Sequence, residues 1–157
     1  MRANSKFSSS SWFRMAGLGL MVILVLAACA PTAAPAPANS ITGIVWQWIS
    51  VTNQTTKQTT TVPTPASYTI IFNAAGTLTG KADCNSFSGT YSQTGGFTIK
   101  LGPTTMAACG EASLDQQYLQ LLSSIAAGGP DGAGGLALET AGGEQRMLFK
   151  NGGAAPK

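Results

Sequence analysis

Asp83, Glu111 and Asp115 are the carboxylates that a bond between Cys84 and Cys109 would draw toward one another. Paired carboxylates suit acid/base hydrolysis of a glycan, or the binding of calcium. Solvated surface acids are the plainer reading of the same residues. The chain contains no histidine, which excludes Ser-His-Asp and Cys-His catalysis and the common imidazole-bearing zinc sites. No G-x-S-x-G elbow, phosphate-binding P-loop or dinucleotide fingerprint follows a strand pattern. Trp46 and Trp48 alternate along one segment, where they could stack on a sugar or fill a core. These residues predict no catalytic set, no metal site and no cofactor.

The N-terminus carries a different kind of chemistry. Arg2, Lys6 and Arg14 precede an apolar run from Ala16 to Leu26, and Leu26-Ala27-Ala28-Cys29 then resembles the lipobox of bacterial lipoproteins. That resemblance implies cleavage before Cys29 and a lipidated cysteine bearing palmitate-type acyl chains. The apolar run is shorter than the ~20 residues of a spanning helix, so a retained transmembrane anchor is the weaker reading. Residues 1–28 are therefore expected to be a signal peptide. The mature domain would be lipid-anchored at a cell membrane, facing the periplasm or the cell surface.

Without residues 1–28 the charge balance changes. Lys57, Lys81, Lys100, Arg146, Lys150 and Lys157 match Asp83, Glu111, Asp115, Asp131, Glu139 and Glu144, so the formal net charge of +3 belongs to the signal peptide. A neutral, charge-poor domain lacks the basic footprint that neutralises phosphates, and no nucleic-acid partner is expected. Anchoring then depends on acyl chains, each buried methylene contributing about 0.8 kcal/mol. Residues 29–40 read as a lipidated cysteine followed by a Pro/Ala linker, extended enough at ~3.1 Å per residue to hold the domain roughly 30 Å from the lipid. Residues 41–151 are the size of one domain, and 152–157 read as a flexible tail.

With Cys29 consumed by lipid, Cys84 and Cys109 remain as a pair in an oxidising compartment. A disulfide between them would close a loop of about 25 residues. On the chain-entropy model such a loop contributes at most about 3.5 kcal/mol. A redox-active pair is the alternative, disfavoured by the absence of a C-x-x-C spacing and of any histidine to lower a thiol pKa.

The elements that must position these residues are mostly strands. Ile44, Trp46 and Trp48 share one side of a first strand, and Thr52 to Thr61 reads as a loop or wide hairpin connection ended by Val62-Pro63-Thr64-Pro65. Tyr68 to Phe72 and Thr77 to Lys81 form one predicted hairpin, Phe87 to Ser92 and Phe97 to Leu101 a second. Leu114, Tyr118, Leu121, Leu122 and Ile125 have helical spacing, with Ser113 and Gln116 as a capping box and Gly128-Gly129-Pro130 as the stop. Leu136 to Leu138 and Met147 to Phe149 give a closing hairpin. About seven strands and one helix are expected, a mainly β (α+β) antiparallel meander.

Asp83-Cys84-Asn85-Ser86-Phe87-Ser88-Gly89-Thr90-Tyr91, followed by a strand and by Thr104-Thr105-Met106-Ala107-Ala108-Cys109, resembles the META domain of HslJ-like bacterial lipoproteins. The resemblance covers residues 41–151, with Gly110 in place of the family's usual Pro. It implies a partly open barrel covered by a helix and singles out Asp83, Asn85, Phe87, Gly89, Tyr91, Thr105 and Met106. Asn85 reads as a turn or local hydrogen-bonding residue, with ligand contact as the alternative. Gly89 permits a bulge, and Phe87 and Tyr91 share a strand face as core residues or as a stacking platform. The family is linked to stress and antibiotic tolerance. The function expected is a non-enzymatic structural or binding role in the cell envelope, as a monomer with an envelope protein as partner. One alternative is a carrier of an acyl or other apolar ligand in the barrel interior, by analogy with pilotin folds; another is a carboxylate-based glycan hydrolase.

Overall fold

The computed structural model describes residues 40–156. The expected signal peptide of residues 1–28, Cys29 and all but the last residue of the 29–40 segment lie outside the described residues. Nine strands, all paired antiparallel, form one curled sheet: β1 (Ile44–Asn53), β2 (Thr59–Thr61), β3 (Tyr68–Phe72), β4 (Thr77–Ala82), β5 (Asn85–Ser92), β6 (Thr98–Thr104), β7 (Ile125–Pro130), β8 (Leu136–Thr140) and β9 (Gln145–Ala154). The order across the sheet is β6-β5-β4-β3-β1-β9-β8-β7, with β2 paired to β1 beside this path. Among the described residues one α-helix, α1 (Asp115–Ser123), interrupts the meander.

Curling brings the two ends of the sheet toward each other at one point. The Phe97 amide, just before β6, donates to the Ala126 carbonyl of β7 at 3.2 Å. Beyond that contact α1 packs on β6 and β4 and covers the gap. This is the expected partly open barrel with a helical cover. The helix buries Tyr118 and Leu122 into the concave face, as their periodic spacing requires.

Aromatic rings fill the space between helix and sheet. Tyr118 stacks on Trp48 with centroids 5.1 Å apart, and Tyr68 meets both rings edge-on at 5.7 and 5.8 Å. Phe87 and Phe149 complete the contacts around Tyr118 at 6.0 and 6.3 Å. Trp46 and Trp48 are core residues, not sugar platforms. Their indole N–H groups donate to the carbonyls of Ile41 and Ser50, each at 2.8 Å, so burial leaves neither donor unpaired.

Several local expectations are corrected. Thr59–Thr61 is a strand, because the Asn53 carboxamide oxygen accepts the Thr55 and Thr56 amides at 2.9 Å and closes a tight turn after β1. Gly128-Gly129-Pro130 does not stop the helix but lies in β7, which pairs with β8 from Ile125 onward. A Cβ at Gly128 would press on Leu138, so glycine there permits close strand approach. The helix instead ends where the Ser123 and Ser124 hydroxyls donate to the Gln120 carbonyl at 2.7 Å. No capping box forms: the N-cap is Leu114, whose amide donates to the Tyr68 hydroxyl at 2.8 Å. Gly152, Gly153 and Ala154, expected in the tail, continue β9, where Ala154 pairs with Ile44.

Among the described residues one buried side-chain polar atom is left unpaired. The Tyr118 hydroxyl is buried with no hydrogen-bond partner, and burial holds its phenol well above the ordinary tyrosine range. Tyr118→Phe keeps the ring contacts and removes the orphan group, so unfolding should show a gain of about 1 kcal/mol. The pH dependence follows from the same burial. In the unfolded chain this phenol ionises near its usual pKa of about 10, whereas in the folded chain it stays neutral to higher pH. Below about pH 10 the group is neutral in both states and adds no pH dependence; above it the unfolded chain ionises first and stability falls as pH rises. Alkaline titration of stability should therefore be shallower in Tyr118→Phe than in the wild type.

Candidate functional site

The β4–β5 connection is a two-residue hairpin turn, since Ala82 and Asn85 are direct partners. Asp83 takes a left-handed conformation there, φ +57°, which Asp tolerates better than most residues. Its amide donates to the Ser67 carbonyl at 2.8 Å. This turn presents Cys84 outward to Cys109, and the two form a disulfide with Cα atoms 5.5 Å apart. The expected pairing is present.

Asn85 follows immediately, and its side chain turns inward to 3 % exposure. Its oxygen accepts the Ala107 amide at 2.7 Å and the Thr105 hydroxyl at 3.1 Å. Its amide nitrogen donates to the Ala107 carbonyl at 3.0 Å, to Asp115 Oδ2 at 3.2 Å and toward Cys109 Sγ at 3.2 Å. With two hydrogens and three acceptors, one donation is shared. Sequence reasoning placed Asn85 as a local turn residue. Its partners instead lie 20 to 30 residues downstream, on another loop and on the helix.

Thr105 completes the attachment. Its hydroxyl accepts the Ser86 amide at 2.9 Å, and its own amide donates to the Ser86 carbonyl at 3.0 Å. Residues 105–109 are thus laced to the start of β5 by main chain, side chain and disulfide. Met106, between the anchored Thr105 and Ala107, is 95 % exposed.

This loop, the end of β6 and the first turns of α1 border a cleft of about 400 Å³. Its lining is mixed: Leu101, Met106, Ala108 and Leu119 are apolar, while Asn85, Asp115 and Gln116 are polar. Asp115 opens the helix, where a carboxylate complements the positive end of the dipole. The candidate site is this cleft.

The remaining motif residues support the scaffold. Phe87 is core. Tyr91 packs on Phe72 with centroids 4.8 Å apart and donates its hydroxyl proton to the Asn73 carbonyl at 2.9 Å, so it is no stacking platform. At Gly89 any Cβ would collide with the Lys100 carbonyl oxygen, beside an irregularity in the β5–β6 register. The three carboxylates do not converge. Asp83 borders a separate depression with Tyr68, Cys109 and Ser113, Asp115 borders the cleft, and Glu111 is exposed in the turn before the helix. Among the described residues no group of three or more His, Cys, Asp or Glu side chains is arranged to hold a metal.

A curled antiparallel half-barrel, closed by one helix and stapled at its β4–β5 turn, defines a class of small β-rich domains. Residues 39–153 match the META domain family, and the chain belongs to it. No curated protein matches the chain. Among solved structures it is similar to a Burkholderia xenovorans protein determined by NMR, at 21 % identity and a TM-score of 0.57, covering 78 % of this chain and 94 % of that one. It is also similar to a DUF4847 family protein from Bacteroides vulgatus, at 14 % identity and a TM-score of 0.55, covering 70 % and 93 %. At these identities the likeness is one of fold.

Asn85→Ala should destabilise the domain by about 1–3 kcal/mol, because the buried side chain that ties the Ala107 loop to Asp115 is lost. A Cys84→Ala/Cys109→Ala pair should lose about 3.5 kcal/mol or somewhat less. Since both devices hold the same loop, the triple variant measured by denaturant unfolding should lose less than the sum, by at least about 0.5 kcal/mol. Strict additivity would show that they hold independent parts.

Proposed function

We propose that this META-domain protein is lipid-anchored through Cys29 on the extracytoplasmic face of a cell membrane. There it serves as a non-enzymatic binding module of the cell envelope under stress, with the cleft beside Met106 as its docking surface. The Cys84–Cys109 disulfide carries the reading, because a closed structural disulfide belongs to a chain that has left the reducing cytoplasm. The lipobox-like Leu26-Ala27-Ala28-Cys29 supports the same compartment. A binding role is favoured over catalysis because the carboxylates are dispersed and the family is not known as enzymatic.

An apolar ligand carried inside the barrel is the less favoured alternative. Trp48, Tyr118, Phe72 and Phe149 occupy the interior where it would sit. A neutral domain has no electrostatic steering for a strongly charged partner, so the docking surface suits an apolar or weakly polar envelope protein.

Membrane fractionation with intact-mass measurement tests the proposal. The wild type should be recovered from membranes beginning at an acylated Cys29, with no free thiol at Cys84 or Cys109. Cys29→Ser should be neither acylated nor processed at that site. A wild-type chain that retains Met1, or that carries two free thiols in the domain, would overturn the assignment of compartment.

A further inference from the structure

Two methionines fall within the described residues, and they stand at opposite extremes. Met147 is fully enclosed in β9, whereas Met106 is 95 % exposed and is the one large hydrophobic side chain so placed among the described residues. Leaving such a side chain in water forgoes the stabilisation that burial would contribute. Local chain freedom does not account for it. Thr105 and Ala107 on either side are both tied to Asn85, and the disulfide at Cys109 limits the loop further. The anchored neighbours leave the Met106 thioether facing solvent at the lip of the cleft.

We propose that Met106 is an oxidation site for peroxide-class oxidants such as hydrogen peroxide, converted to the sulfoxide while the fold is intact. The sulfur lone pair attacks one peroxide oxygen, a new S–O bond forms and the O–O bond breaks. The departing hydroxide takes up the proton of the oxygen now bound to sulfur and leaves as water, which leaves the sulfoxide. Sulfur is oxidised by two electrons and the peroxide is reduced by two, so no other redox partner is needed. Access to sulfur controls such reactions, and the sulfoxide is reversible by methionine sulfoxide reductases.

The product is polar and chiral at the lip of a cleft whose apolar lining includes Leu101, Ala108 and Leu119. The Asn85 network and the disulfide do not involve the Met106 side chain. Oxidation therefore changes the cleft and leaves its scaffold alone. Any effect on docking rests on the cleft reading above, but the oxidation itself does not, and the test below reads only oxidation and stability.

The experiment is a time course of the membrane-extracted protein in dilute hydrogen peroxide, followed by peptide mapping and thermal melting. Mapping separates Met106 from Met147, the two methionines that follow Cys29. Met106 should gain one oxygen at least about tenfold faster than Met147, reflecting exposure. The melting temperature should stay unchanged when Met106 is fully converted. Met106→Leu should fold normally and gain no oxygen in the domain over the same interval, and sulfoxide reductase should restore the wild-type mass. Equal rates at Met106 and Met147, or melting that tracks Met106 oxidation, would overturn the proposal.

Discussion

The side-chain amide of Asn85 is the interaction on which the functional face of this domain depends. A buried carboxamide must satisfy an oxygen and two N–H groups within the protein, and here its partners lie on the 105–109 loop and at the start of α1. One residue therefore joins three places: the β4–β5 turn, the 105–109 loop and the first turn of α1. The disulfide beside it acts differently, by restricting the unfolded chain, so the two devices reinforce one loop by separate physical routes. What they create together is a rigid rim for the cleft.

The rest of the fold explains why that cleft is outside the barrel rather than within it. A sheet that curls without closing along its length must cover the remaining gap, and α1 does so by lowering Tyr118 onto Trp48. The hydroxyl of Tyr68 accepts the Leu114 amide while its ring touches both Trp48 and Tyr118. Core packing and helix position are consequently one problem, solved by the same aromatic cluster. With the interior filled by rings, surface chemistry is left to the loop that Asn85 holds.

Much of the architecture was legible because one face of each long strand is buried. Alternation at Trp46 and Trp48, the Tyr68–Phe72 run and the glycine turn at Gly76 mark strands whose identity follows from burial alone. The strands that escaped notice lack that pattern. Thr59–Thr61 is exposed throughout, and Ile125–Pro130 is mostly exposed small residues ending in proline, so each owes its form to a partner strand rather than to its own side chains. At the site, the cysteine pairing could be read from compartment and count. The reach of Asn85 could not, since its partners stand 20 to 30 residues away and no local pattern encodes them. A buried asparagine beside a disulfide cysteine, followed downstream by Thr and Asp, was the available signal.

Native-state hydrogen exchange at the Ala107 amide tests the central claim most directly, because that N–H donates to the Asn85 side chain from a loop outside any strand or helix. If Asn85 holds the rim, Ala107 exchanges as slowly as the paired amides of β4 and β5, and only through large-scale opening. If Ala107 exchanges at the rate of an exposed loop amide while β4 and β5 remain protected, the rim is not held by Asn85 and the account of the cleft fails.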